Sequence, residues 1–219
     1  MTWPSTAAEL EAWQEELARR PVGAWSPAPA SVVGACVVVF PRGKTGAGAC
    51  GDRGWAAAVA HGASAVVPGE AGAPYVPGLL ALREGPLLEA AVRALPRAPD
   101  VLLADATGRD HPRRAGLATS LGAVLELPTV GVTHRPLLAS GDWPADRRGA
   151  TAPLRIGEDV VGCWLRVRAG VRPLAVHPAW RTDLDAAIAV VLGATASVRT
   201  PEPLRAARTA ARRARAADA

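Results

Sequence analysis

The spacing of hydrophobic positions changes period several times along the chain, and each change marks an element. Leu10, Trp13 and Leu17 recur at helical spacing behind Thr6, with Glu9 three residues on, so a capping box opens a first helix and Pro21 closes it. A Pro/Ala/Ser stretch leads into residues 32–40, an almost unbroken apolar run that predicts a strand buried on both faces. Five glycines within residues 41–54 predict a hairpin or a loose loop. Further strands are expected at 55–60 and 64–67, a short helix at 86–95, a strand at 101–104 and a helix at 112–121. A strand at 128–132, a polar loop near 140–150 and strands at 160–167 and 174–177 follow. Thr182 and Asp185 predict another capping box, before a helix through 186–192. This order, a cluster of strands and then alternating helix and strand, is that of an α/β domain with a mixed central sheet flanked by helices.

Composition narrows the class. A chain of 219 residues is one domain's worth, and 49% hydrophobic against 21% charged residues excludes disorder for most of it. No apolar run approaches the roughly 18 residues of a membrane span. The acidic, helical N-terminus differs from a basic leader followed by an apolar stretch, so no signal peptide is expected. Cys36, Cys50 and Cys163 lie far apart without metal-site spacing, which fits a reduced, cytoplasmic setting.

The net charge of +5 is unevenly placed. Residues 199–219 hold six arginines against Glu202 and Asp218, a net of +4, and leave residues 1–198 nearly neutral. The chain therefore divides into an α/β domain over 1–198 and a basic Arg/Ala-rich helix or tail over 199–219. Arg205, Arg208, Arg212 and Arg215 recur at helical spacing and would form one stripe. Such a stripe suits nucleic acid, and a solvated terminal helix would carry the same pattern.

Gly43-Lys44-Thr45 imitates the end of a phosphate-binding loop, but Val38 stands where the motif needs its first glycine and more glycines follow, so a turn is expected. A fuller constellation lies between residues 74 and 135. It comprises Pro74-Tyr75-Val76-Pro77-Gly78, Leu82-Arg83-Glu84, Asp105-Ala106-Thr107-Gly108-Arg109-Asp110-His111-Pro112-Arg113-Arg114, and Pro128-Thr129-Val130-Gly131-Val132. Asp105 ends an apolar strand and Glu84 is expected to begin a helix, positions from which two carboxylates can meet around a hard divalent cation. His111-Pro112-Arg113-Arg114 is expected to open a helix, where backbone amides and guanidinium groups favour an anion such as phosphate. Asp110 is expected to cap that helix.

Together these segments resemble the endonuclease V family, metal-dependent repair nucleases of the ribonuclease H-like fold that nick nucleic acid near deoxyinosine. The resemblance runs from about Ser31 to Arg205 and includes the closing Pro201-Glu202-Pro203. It implies a single ribonuclease H-like domain, Glu84 and Asp105 as ligands of Mg2+ or Mn2+, and DNA or RNA as the partner of a monomer. Tyr75 matches the wedge that fills the space of a flipped base, flanked by Pro77 and Gly78. Gly108 matches the base pocket, and His111, Arg113 and Arg114 the segment that follows it. His134 aligns with a family lysine, and Ala106 with the first glycine of the pocket loop.

Two departures concern the metal. Cys36 stands at the place of a metal-binding aspartate, and Trp180 is aligned with a histidine. A thiolate is a soft ligand and tryptophan is none. Both are expected to pack as core residues, and His177 to sit at a strand end bonded to backbone. Two functions follow from the resemblance: Mg2+-dependent phosphodiester hydrolysis near deoxyinosine with a degraded site, or a nucleic-acid-binding module that has lost cleavage.

Overall fold

Strand β1 (Val33–Val39) is the hinge of the sheet, because its two edges take partners of opposite sense. It pairs antiparallel with β2 (Arg53–Ala60) and parallel with β4 (Val101–Ala104). The computed structural model describes residues 2–43 and 46–218; Lys44 and Thr45, and with them the phosphate-loop imitation, lie outside the described residues. The remaining strands are β3 (Ala63–Glu70), β5 (Thr129–Thr133), β6 (Thr151–Ile156), β7 (Asp159–Leu165) and β8 (Leu174–Pro178), in the sheet order β3-β2-β1-β4-β5-β8-β7-β6. The β1-β4-β5 centre is parallel and every other pairing is antiparallel, the mixed sheet expected.

Five helices cover the two faces: α1 (Ala7–Arg19), α2 (Leu80–Arg93), α3 (Leu117–Leu125), α4 (Leu184–Gly193) and α5 (Glu202–Ala217). Alternation along the strands decides which helix each residue meets. Cys36, Leu102 and Ala104 pack with Leu10 of α1, Leu87 and Leu88 of α2, and Leu117 and Leu121 of α3. Ala35, Val37 and Leu103 pack on the opposite face with Val190 and Val191 of α4 and Leu204, Ala207 and Ala211 of α5. The basic C-terminal segment is thus a helix whose alanine face rests on the sheet. No described helix is long and apolar enough to cross a membrane.

The α1 capping box forms as expected: Glu9 N donates to Thr6 Oγ1 at 3.2 Å, and Thr6 N to Glu9 Oε2 at 3.1 Å. Four expectations need correction. Helix α2 begins at Leu80 and runs through Pro86, so Glu84 lies inside it instead of opening it. Proline is favoured in a first turn, but here the buried stripe of Ala81, Leu88 and Val92 against β2 and β3 outweighs the lost donor at Pro86. Helix α3 begins only at Leu117, because Arg114 adopts a left-handed backbone (φ 57°) and breaks the helix expected from 112. The α4 cap is Asp183, which accepts from Ala186 N at 2.8 Å, whereas Thr182 bridges Ala179 N and the Thr129 carbonyl. Strand β6 was not expected: with Pro153 inside it and only Leu154 buried, it is an edge strand without an apolar alternation to announce it.

Candidate functional site

The parallel register places Cys36 beside Ala104, one residue before Asp105. Cys36, Glu84 and Asp105 share a cleft of about 220 Å³ with Val38, Tyr75, Leu80 and Leu88. Cys36 is fully buried, and burial, reinforced by the charges of Asp105 and Glu84, pushes its thiol far above the ordinary range. The Glu84 side chain is half-buried among these apolar groups. Loss of hydration raises its carboxyl to about 8, with Asp105 adding to the rise and Arg83 opposing it. The Arg83 guanidinium turns away, donating to Asp52 Oδ2 at 3.1 Å and to the carbonyls of Ala49 and Ala73.

Asp105 continues the odd-numbered positions of β4, which face α5. Arg208 meets it from that helix, Nη2 lying 2.5 Å from Asp105 Oδ2. His134 feels the same charges: burial first, then Arg199 and Arg208, push its imidazole below the ordinary range, with Asp105 opposing. Arg215, at the far end of the stripe, donates to the Phe40 carbonyl at 2.9 Å.

A second cleft of about 280 Å³ adjoins the first and shares Tyr75, Leu80 and Asp105 with it. Gln14, Gly78, Ala106, Thr107, His111, Thr133 and Arg135 also line it. Tyr75 is 44% exposed at its rim, and Pro77 is exposed beside it. The floor is held by one acceptor: the Gly78 carbonyl receives Gln14 Nε2 at 3.3 Å, His111 Nε2 at 3.0 Å and Arg113 Nη2 at 3.1 Å. His111 Nδ1 takes the Arg113 backbone N–H, which fixes the neutral tautomer, and burial chiefly lowers its pKa to about 4. Gly78 itself has φ 84°, a backbone that favours glycine.

Several candidates therefore stand elsewhere than the sequence suggested. His111, Arg113 and Arg114 lie on turns, not at a helix start. Arg113 is tied to Gln14 Oε1 at 2.8 Å, and Arg114 to Asp159 at 3.1 Å. Asp110 caps no helix; its carboxylate accepts from Leu137, Leu138 and Ala139 N–H at 2.6–2.9 Å and pins the next loop against this one. Gly108 is crowded by β8, since a Cβ there would sit 2.3 Å from the Pro178 carbonyl. Trp180 lines neither cleft: it packs with Leu17, Ala115 and Ala123, and Arg20 lies 5.5 Å over its ring. His177 bonds to a side chain instead of backbone, Nε2 lying 3.0 Å from Thr133 Oγ1, and its burial lowers its pKa to about 4.

The family model described as Endonuclease V matches residues 31–209. The chain belongs to the endonuclease V family. The endonuclease V of Streptomyces coelicolor is 40% identical over 208 residues, 93% of this chain and 88% of that protein. That of Streptomyces avermitilis is 47% identical over 152 residues, 69% of this chain and 66% of that protein. A crystal structure of endonuclease V from Streptomyces avermitilis superposes with a TM-score of 0.88 at 40% identity, covering 99% of this chain and 96% of that one. Endonuclease V of Ciona intestinalis, solved with a 24mer DNA containing an inosine followed by a ribo-adenosine, superposes at 0.81 with 21% identity over 97% of this chain and 98% of that one. The fold is therefore the ribonuclease H-like fold of endonuclease V.

Within that fold the structure brings Cys36, Tyr75, Glu84 and Asp105 together and leaves Trp180 outside. Three contributors were missed from sequence. Gln14 sits on an ordinary helix stripe, Asp110 reads as a helix cap, and Arg208 reads as one repeat of a surface stripe. Among the described residues no group of three or more His, Cys, Asp or Glu side chains is gathered as metal ligands are.

Proposed function

We propose that this protein recognises nucleic acid at inosine or another distorted site, and that it binds such sites without Mg2+-dependent cleavage. The observation that carries this reading is the 280 Å³ cleft between the Tyr75 loop and Asp105–Thr107, its floor tied by three donors to the Gly78 carbonyl. That volume lies near the lower end of small-molecule pockets. An unstacked base enters such a space, and an aromatic wedge recovers part of the stacking lost on flipping. Tyr75, flanked by Pro77 and Gly78, is the wedge; His111 lines the pocket from the other side and Arg113 braces it through the Gly78 carbonyl. The inosine-containing DNA bound by the Ciona intestinalis relative is consistent with this substrate class.

The endonuclease V family is in general one of metal-dependent nucleases. A hard divalent cation needs several ionised oxygen ligands, and the residues present here do not fit one. Beside Glu84 stands Cys36, a buried soft thiol where an oxygen ligand is needed, and Asp105 is engaged by Arg208. No hydrolytic step is derived through Mg2+ or Mn2+. His134, placed by the family resemblance in the catalytic set, would donate to phosphate only weakly and when protonated, a form that burial and the nearby arginines disfavour. Fluorescence anisotropy in EDTA, with inosine-containing and unmodified strands, tests the reading. Tighter binding of the inosine strand supports it. Brisk Mg2+-dependent nicking, abolished by Glu84→Ala, overturns the loss of cleavage.

A further inference from the structure

Arg208 reaches Asp105 through two independent features of the fold. Ala207 and Ala211 press α5 onto the sheet, which leaves Arg208 at the rim, its side chain 23% exposed. The two-residue alternation of β4 turns Asp105 to that same rim. The guanidinium holds Asp105 Oδ2 at 2.5 Å, an oxygen that a cation serving Asp105 would have to share with it.

We propose that Arg208 replaces the divalent cation: its guanidinium neutralises Asp105 in the free protein and grips a backbone phosphate oxygen when a strand lies across the cleft. This rests on the reading of the cleft as a nucleic-acid site. A guanidinium carries five N–H donors in a planar fork, so one nitrogen on Asp105 leaves others to meet phosphate. The neighbours favour an anion there: Arg199 and His134 share the field of Arg208, and Arg135 lines the adjoining cleft. Asp105 and Glu84 oppose it. Arg208 standing between carboxylate and phosphate lets both share one positive charge. Unlike a bound ion, this charge needs no metal in solution.

The test combines a titration of the wild-type protein with MnCl2 alone, followed by calorimetry, and binding of a labelled inosine-containing single strand across a salt series. No saturable Mn2+ binding is expected, and strand affinity is expected not to rise when Mg2+ is added at matched ionic strength. Arg208→Gln should weaken strand binding about tenfold and flatten the log K against log salt slope by about 0.7 to 0.9, one phosphate contact. Arg208→Lys should restore part of both, and melting curves confirm that each variant is folded. Saturable Mn2+ binding by the wild type that Asp105→Asn removes would overturn the proposal, as would unchanged strand affinity in Arg208→Gln. A wild type that binds no strand overturns the proposed function and the phosphate grip; the Mn2+ titration then decides the cation replacement on its own.

Discussion

The imidazole of His111 lies 3.0 Å from the Gly78 carbonyl oxygen, and this one contact ties the loop carrying Tyr75 to the loop that follows Asp105. Arg113 and Gln14 reinforce it on the same oxygen. The residues expected to grip an anion instead hold the wedge loop in place. Arg113→Ala should therefore cost about 0.5–1.5 kcal/mol of stability, the net worth of a hydrogen bond, since His111 and Gln14 still satisfy the Gly78 carbonyl. Thermal melting measures this, and hydrogen exchange should rise at residues 74–78. Unchanged exchange there would remove the clamp from the account.

Tyr75 is expected to behave differently, since it is 44% exposed. Tyr75→Ala should leave the melting temperature nearly unchanged while weakening inosine-strand binding by roughly 1–3 kcal/mol, the usual worth of one stacked base. Equal loss on an unmodified duplex would argue against a wedge.

Stability should depend on pH through His177. Its pKa falls from 6.5 to about 4 on folding because the ring is fully buried. The unfolded chain thus takes up the proton first. The contribution is fully present above about pH 6.5 and is lost as pH falls toward 4, on the order of 3 kcal/mol. Denaturant midpoints between pH 7 and 4 measure the slope, which His111 shares with the same sign, so His177→Gln should reduce it and leave the His111 part.

Glu84 has the opposite sign. Its carboxyl rises from 4.5 to about 8, so the neutral form is what the fold accommodates. Its contribution is present below about pH 4.5 and is lost as pH rises through 8. Glu84→Gln should accordingly raise the melting temperature at pH 8.5 and change it little at pH 5. Equal effects at both pH values would show that Glu84 is already ionised at neutral pH.

Rebuilding a metal site has two competing designs. Cys36→Asp with Arg208→His adds an oxygen donor in the cleft shared by Glu84 and Asp105 and a nitrogen donor on the helix that faces Asp105. Mn2+ should then stabilise the protein, by about 2.7 kcal/mol at a hundredfold excess over Kd. Cys36→Asp with Trp180→His should show no such gain, because Trp180 is buried among Leu17, Ala115 and Ala123, whereas Arg208 touches Asp105 directly. Cys36→Asp alone should destabilise, as an uncompensated carboxylate in an apolar strand does. A Mn2+ shift in the Trp180 design alone would reverse the assignment.

By itself the sequence determined the α/β class and most of the elements, because long apolar runs such as 32–40 leave a buried strand as the stable outcome, whereas edge strand β6 carries no apolar alternation to announce it. It determined the family too, since motifs with fixed spacing survive even where single ligands have changed. It also singled out Tyr75, Glu84 and Asp105, which sit within contiguous motifs and which the fold brings to one cleft. Tertiary structure alone decided what the arginines do. Helical spacing gives Arg208 and Arg212 the same status, and only the docking of α5 against the face to which β4 turns Asp105 separates them. The same docking makes α5 part of the core through Leu204, Ala207 and Ala211, which no count of charges along 199–219 could reveal. Likewise, His111 and Arg113 look like an anion site until a left-handed Arg114 breaks the helix and turns them onto the Gly78 carbonyl. Local pattern fixes which face of an element is buried; which side chains meet across elements depends on packing between segments far apart in the chain.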